Sequence, residues 1–142
     1  MPAGIGPGLA DVRDAVAYRI SPGDTVRLAP LYQPGGALQA SVFLEIWDPG
    51  GSQPPNSHEA SVETFLFLTG KGVAHCDGAT LWVREGQFLV LPARSVHRIV
   101  NTGRGKLAAI TTMSPDRGFY DLVVAGSPGP LGPDEVELLG VM

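Results

Sequence analysis

From about Thr25 to Met113 the chain is a succession of short β-branched or aromatic runs, each closed by glycine, proline or asparagine. The runs are Thr25–Ala29, Leu38–Trp47, Glu63–Leu68, Gly72–Cys76, Thr80–Arg84, Gln87–Leu91, His97–Val100 and Lys106–Met113. Short strands at this spacing predict an all-β sandwich or barrel. The links Thr69-Gly70-Lys71-Gly72, Asp77-Gly78, Glu85-Gly86 and Asn101-Thr102-Gly103 are turn signals. Glycine and asparagine supply positive φ there at low steric cost. Several runs are apolar on both faces. In Glu63–Leu68, Phe65 and Phe67 lie on one face with Glu63, and Leu66 and Leu68 on the other with Thr64. A sheet with one wet face alternates apolar with polar. One face therefore fills a barrel, and the other is expected to meet a second sheet or a partner subunit, which motivates a homodimer.

The rest of the composition narrows the class. The 142 residues suit one domain with one core. The 19 glycines and 13 prolines fit the turns of a β-protein. A net charge of −4 with no basic run argues against nucleic acid or an anionic membrane as partner. Cys76 is the only cysteine, so neither an internal disulfide nor a thiolate metal site is expected. The start, Met1-Pro2-Ala3-Gly4, has no basic flank or long apolar run, and no run elsewhere is long enough for a bilayer. These readings predict a cytoplasmic protein.

The ends read differently from the middle. Residues 1–20 form an N-terminal arm in which Val12, Val16 and Ile20 fit either a helical turn or a first strand. The barrel is expected over 21–113. Ser114-Pro115-Asp116 reads as a helix start, with a hydroxyl cap, proline at the first helical position and an acid at the positive end of the dipole. It predicts one short helix over 114–125, followed by a Gly/Pro linker and tail over 126–142.

Two segments carry the chemistry. Gly50, five residues, Asn56, Ser57, His58, four residues, Glu63, six residues and Gly70 make the first. Gly86, five residues, Pro92, Ala93, Arg94, two residues, His97, three residues and Asn101 make the second. Turn chemistry alone explains the glycines, Pro92 and Asn101. His58, Glu63 and His97 add two imidazoles and one carboxylate, a set that holds a divalent transition metal with positions left open. With a divalent ion such a set carries one net positive charge.

Both segments resemble the two signature motifs of the cupins, small β-barrel proteins with a jelly-roll (double-stranded β-helix) fold, over roughly Leu38 to Met113. Four of five fixed positions match in each motif. The resemblance implies that His58, Glu63 and His97 are metal ligands. Asn56 stands where the family has a further histidine, and Arg94 where it has a glycine. An amide oxygen is a weaker, neutral ligand, so Asn56 is expected to coordinate weakly, to hold a metal-bound water, or to take no part. The implied cofactor is a divalent transition metal: Fe, Mn, Ni or Zn. The implied function is a metal-dependent enzyme acting on a small organic molecule, foremost a dioxygenase. A non-catalytic ligand-binding or sensing cupin and a cupin isomerase or lyase are the alternatives. A structural barrel without metal is the third reading, kept alive by Asn56 and Arg94.

The remaining candidates have plainer explanations beside them. His75, on the next strand, is a candidate general base or partner to a ligand, or a satisfied structural histidine. Cys76 has the opposite strand parity and reads as a small buried apolar residue. Arg94 is a candidate contact for a substrate carboxylate, or a solvated loop arginine. Phe65, Phe67 and Trp47 line either an aromatic ligand pocket or an ordinary barrel core.

Overall fold

The structure is a computed structural model, and it describes residues 7–35 and 37–139. A 3-10 turn, Val12–Asp14, precedes β1 (Val16–Arg19), β2 (Val26–Tyr32), β3 (Ser41–Trp47), β4 (Val62–Thr69), β5 (Lys71–Cys76) and β6 (Ala79–Arg84). Then follow β7 (Phe88–Leu91), β8 (His97–Asn101), β9 (Leu107–Ser114), α1 (Phe119–Val124), β10 (Ser127–Pro130) and α2 (Pro133–Leu139). The eight expected strands are all present, with ends shifted by a few residues.

Seven strands form one antiparallel sheet in the order β10-β1-β2-β3-β9-β4-β7, and three form a second in the order β6-β5-β8. Trp47, Phe65, Phe67, Leu89 and Leu107 of the large sheet and Ala74, Val83 and Ile99 of the small one make the shared apolar core. This is the all-β barrel expected from the strand spacing, with the jelly-roll form that the cupin resemblance implies. The turns are enforced locally. Gly70 joins β4 to β5 at φ +89°, and a Cβ there would sit 2.6 Å from the Lys106 carbonyl oxygen. Asn101 is buried, and its Nδ2 donates to the carbonyls of Trp47, Asp48 and Gly105 at 3.1, 3.1 and 2.9 Å. Its Oδ1 accepts from the Gly103 N–H at 2.9 Å, so one side chain ties the end of β3 to the loop between β8 and β9.

The ends correct the sequence reading. Ser114 does not cap a helix: it pairs with Val62 as the last residue of β9. Ladder pairing wins over the local helix signal, and the helix starts later, at Phe119. Gly118 is the N-cap residue, and Asp116, two residues before it, accepts from the Gly118 and Tyr120 N–H groups at 3.1 and 2.9 Å. The arm holds both a turn, Val12–Asp14, and a strand, β1. The expected linker contains the edge strand β10, paired with β1, and the expected tail contains α2. Two prolines in Ser127–Pro130 disguise that strand, since proline is tolerated only at sheet edges. The parts of these predicted segments at 1–6 and 140–142 lie outside the described residues.

α2 closes over part of the outer face of the large sheet. Leu139 packs with Ala17, Ala29, Leu44, Ile46 and Ala108. Glu135 anchors it, paired with Arg27 and with Lys106 Nζ at 2.9 Å. The opposite end of that face is bare: Leu66 is 42% exposed, Phe88 63% and Val90 51%. Leu66 and Phe88 are directly opposed on β4 and β7. Among the described residues nothing long and apolar enough to cross a membrane as a helix occurs.

Candidate metal centre

Glu63 lies on the inward face of β4, two and four residues before Phe65 and Phe67. His97 opens β8 in the small sheet, and His58 sits on the loop between β3 and β4. The loop is held to β8 by two backbone hydrogen bonds, Asn56 N–H to His97 O at 2.9 Å and His97 N–H to Asn56 O at 2.8 Å. The Arg94 N–H donates to the His58 carbonyl at 2.7 Å. Arg94 has φ +69°, so the arginine keeps the left-handed backbone that a glycine would adopt here.

These ties bring three donors together. His97 Nε2 lies 3.0 Å and His58 Nε2 3.6 Å from Glu63 Oε1, and one donor atom from each residue falls within 4.8 Å of the others. Donors held at about 2.0–2.2 Å from one ion stand roughly 3–3.5 Å apart, so the separations suit a shared ion after small side-chain shifts. His97 Nδ1 faces the Ser95 carbonyl at 3.2 Å. With an ion bound, a proton on Nδ1 would donate to that carbonyl and leave the Nε2 lone pair for the ion, in place of the Nε2–H that otherwise donates to Glu63. Burial pushes the Glu63 carboxyl up, but the hydrogen bonds from His58 and His97 together outweigh it and hold the group below its ordinary range. The anion is therefore formed and ready. Two imidazoles and one carboxylate, nearly all of them buried, fit a borderline divalent ion.

The triad borders a cavity of about 690 Å³. Leu28, Phe65, Ile99, Phe119 and Leu122 give it apolar walls, with Asp24, Glu59 and Arg117 also lining it. Asn56 lines it too, its Nδ2 3.3 Å from His58 Nε2.

Other sequence candidates fall elsewhere. His75 is exposed on β5, outside this cavity, and does not face the triad. Arg94 is an exposed loop residue 3.5 Å from Glu59 and does not line the cavity. Phe65 does line it, whereas Trp47 and Phe67 are buried in the core beside it. Cys76 is half-buried against the core.

Sequence reasoning missed Glu45 and Gln53, which also line the cavity. The signal was available: Glu45 is the lone charge in Ser41–Trp47. It is 1% exposed and accepts from Thr111 Oγ1 at 2.9 Å and from Gln53 Nε2. Burial, and after it the charge of Glu63, push its carboxyl well above the ordinary range, which favours the neutral acid.

A short barrel with a buried two-histidine, one-carboxylate set opening into an apolar cavity defines a class of metal-competent jelly-roll proteins. The cupin domain profile matches residues 43–113, and the chain belongs to the cupin superfamily. Among solved structures it is similar to a predicted oxalate decarboxylase from Thermotoga maritima, at 22% identity and TM-score 0.64. That match covers 74% of this chain and 96% of the other. It is similar also to the cupin domain of Schizosaccharomyces pombe Cnp3, at 16% identity and TM-score 0.59, covering 63% and 64%. Oxalate oxidase in complex with glycolate is a third, at 19% identity and TM-score 0.58, covering 68% of this chain and 54% of that one. These likenesses establish the shared fold. No curated protein sequence matches the chain.

Proposed function

We propose that this cupin is a metal-dependent enzyme acting on a small organic molecule, foremost an oxygenated acid, by dioxygenase-type chemistry. The observation that carries the reading is the convergence of His58 Nε2, His97 Nε2 and Glu63 Oε1 at the wall of a 690 Å³ cavity. His58, Glu63 and His97 hold the ion; Fe(II), Mn(II), Ni(II) and Zn(II) all suit such donors. When bound, the ion supplies a Lewis-acidic centre with open positions for substrate.

The protein's own groups then do the rest. Glu63 and the two imidazoles leave one net positive charge, which favours an anionic substrate group. Ser95 holds His97 in its coordinating tautomer through its carbonyl. Phe65, Ile99 and Phe119 exclude water from the apolar part of the substrate. Asn56, beside His58, is assigned the role of a weak or water-mediated contact. The names of two similar structures, a predicted oxalate decarboxylase and an oxalate oxidase holding glycolate, support small oxygenated acids as the first candidates. We assign the bare apolar face of β4 and β7 to a homodimer contact, because a patch of this kind marks a binding surface.

The test has two stages. Metal content is measured after loading and dialysis, for the wild type and for His58→Ala; the reading expects one ion per chain, lost in the variant. Fe(II)- and Mn(II)-loaded protein is then given oxalate, glycolate and aromatic or dicarbonyl acids while oxygen uptake is followed. Metal retention by His58→Ala would sink the site. Metal binding without turnover of any acid would favour the ligand-binding or sensing alternative, and turnover without oxygen uptake an isomerase or lyase.

A further inference from the structure

Glu45, Gln53, Trp47 and Thr111 form a hydrogen-bonded chain beside the metal centre. The order of its donors is fixed by one group. The Trp47 indole N–H can only donate, and it points at Gln53 Oε1 at 3.2 Å. Gln53 must therefore present its NH₂ to Glu45, one hydrogen of which goes to Glu45 Oε2. No protein acceptor takes the second hydrogen among the described residues. Thr111 Oγ1 lies 2.9 Å from Glu45 Oε1. Glu45 is 1% exposed, and as a carboxylic acid it and Thr111 bring two hydroxyl hydrogens to one mutual contact. With Thr111 donating to Glu45 Oε1, the acid hydrogen on Glu45 Oε2 is left over.

Both surplus donors belong to a cluster whose Glu45 and Gln53 line the cavity. Buried donors without acceptors are costly, so the occupant that suits this wall brings an oxygen with lone pairs. We propose that the Glu45–Gln53 pair is a binding subsite for a second, acceptor oxygen of the ligand, which makes the ligand a keto or otherwise doubly oxygenated acid. One end of that molecule goes to the ion held by His58, Glu63 and His97, and the other to Glu45 and Gln53. This rests on the metal reading for the first end only.

The probes are methyl-ketone acids from pyruvate to levulinate and longer, each paired with the plain carboxylate of equal chain length. A ketone oxygen accepts and never donates. Binding is measured by calorimetry on Mn(II)-loaded and metal-free protein, with metal content determined in parallel. At one chain length the ketone acid should bind the wild type about three- to tenfold more tightly than its partner, the yield of one or two hydrogen bonds. Glu45→Gln keeps a donor at this place and should keep the preference; Glu45→Met should lose it. Gln53→Met, at a half-buried position, serves as a second disrupting variant should Glu45→Met fail to fold, and should weaken the preference. A preference absent at every chain length, or unchanged in both disrupting variants, overturns the subsite. So does its loss in Glu45→Gln, which keeps a donor and would show that the preference does not rest on a donated hydrogen. Failure to take up metal with the ketone preference intact would instead overturn the metal reading alone.

Discussion

Asn56 and His97 exchange two backbone hydrogen bonds, at 2.9 and 2.8 Å, and so lock the loop of one motif onto the strand of the other. The position is thus occupied by a residue whose main chain builds the site whatever its side chain does. Its side-chain Nδ2 sits 3.3 Å from His58 Nε2. Replacing the amide by imidazole should add a stronger ligand without disturbing that clamp. Asn56→His is expected to tighten Zn(II) or Co(II) binding by roughly 10–100-fold, the range by which changes around metal ligands act. Competition against a chromophoric chelator measures it. Unchanged affinity would place Asn56 outside the coordination sphere.

Glu45 gives a stability prediction of definite sign. Its folded carboxyl titrates above its unfolded value because burial, and then Glu63, disfavour the anion. Between the unfolded and folded values the native state holds the extra proton, so stability falls as pH rises through that window. Glu45→Gln stays neutral at every pH, keeps one acceptor oxygen, puts an NH₂ donor in place of the other and has nearly the same volume. The metal-free variant should match the wild type near pH 4 and exceed it by about 1 kcal/mol or more at pH 8. Urea unfolding at the two pH values decides it, and a constant difference would count against a neutral Glu45.

The clamp on α2 has the opposite slope. Burial raises the Glu135 carboxyl, but hydrogen bonds from Arg27, Lys106 and the Gly132 N–H, together with the Arg27 charge, bring it down to about 2 from 4.5. A depressed carboxylate contributes stability that is complete above the unfolded value and is lost as pH falls from 4.5 towards 2. With allowance for solvent screening at the Lys106 side, the loss should be about 1–2 kcal/mol. Glu135→Gln should be less stable at pH 7 and show a flatter acid limb by the same measurement.

Legibility in the sequence followed the range of the interactions. Strands between Thr25 and Met113 were readable because turn residues and period-2 patterns are local. The triad was readable because its spacing is tied to those turns, as the clamp of Asn56 on His97 shows. Ser114 was misread because its decisive partner, Val62, is remote in sequence. β10 was hidden because Pro128 and Pro130 are turn residues unless an edge strand is already there to receive them. Glu45 was visible as a charge in an apolar run, but its role depends on Gln53, Thr111 and Glu63, which only the closed barrel assembles.

The bare face of β4 and β7 yields the last prediction. Val62, Leu66, Phe88 and Val90 are exposed there, Thr64 lies between them, and no charged side chain stands among these outward positions. α2 covers the far end of the same sheet with Leu139, so the chain shields one part of this face and leaves the other open. An apolar, uncharged patch can meet its own copy across a two-fold axis without like charges in contact. A lysine at its centre would place an unpaired charge in that contact. Leu66→Lys should therefore convert a dimer to a monomer in sedimentation at micromolar concentration. Its side chain is solvent-facing in the single chain, so the melting temperature of the isolated fold should change little. A wild type that sediments as a monomer, or a dimer untouched by both Leu66→Lys and Phe88→Lys, would rule this face out as the contact.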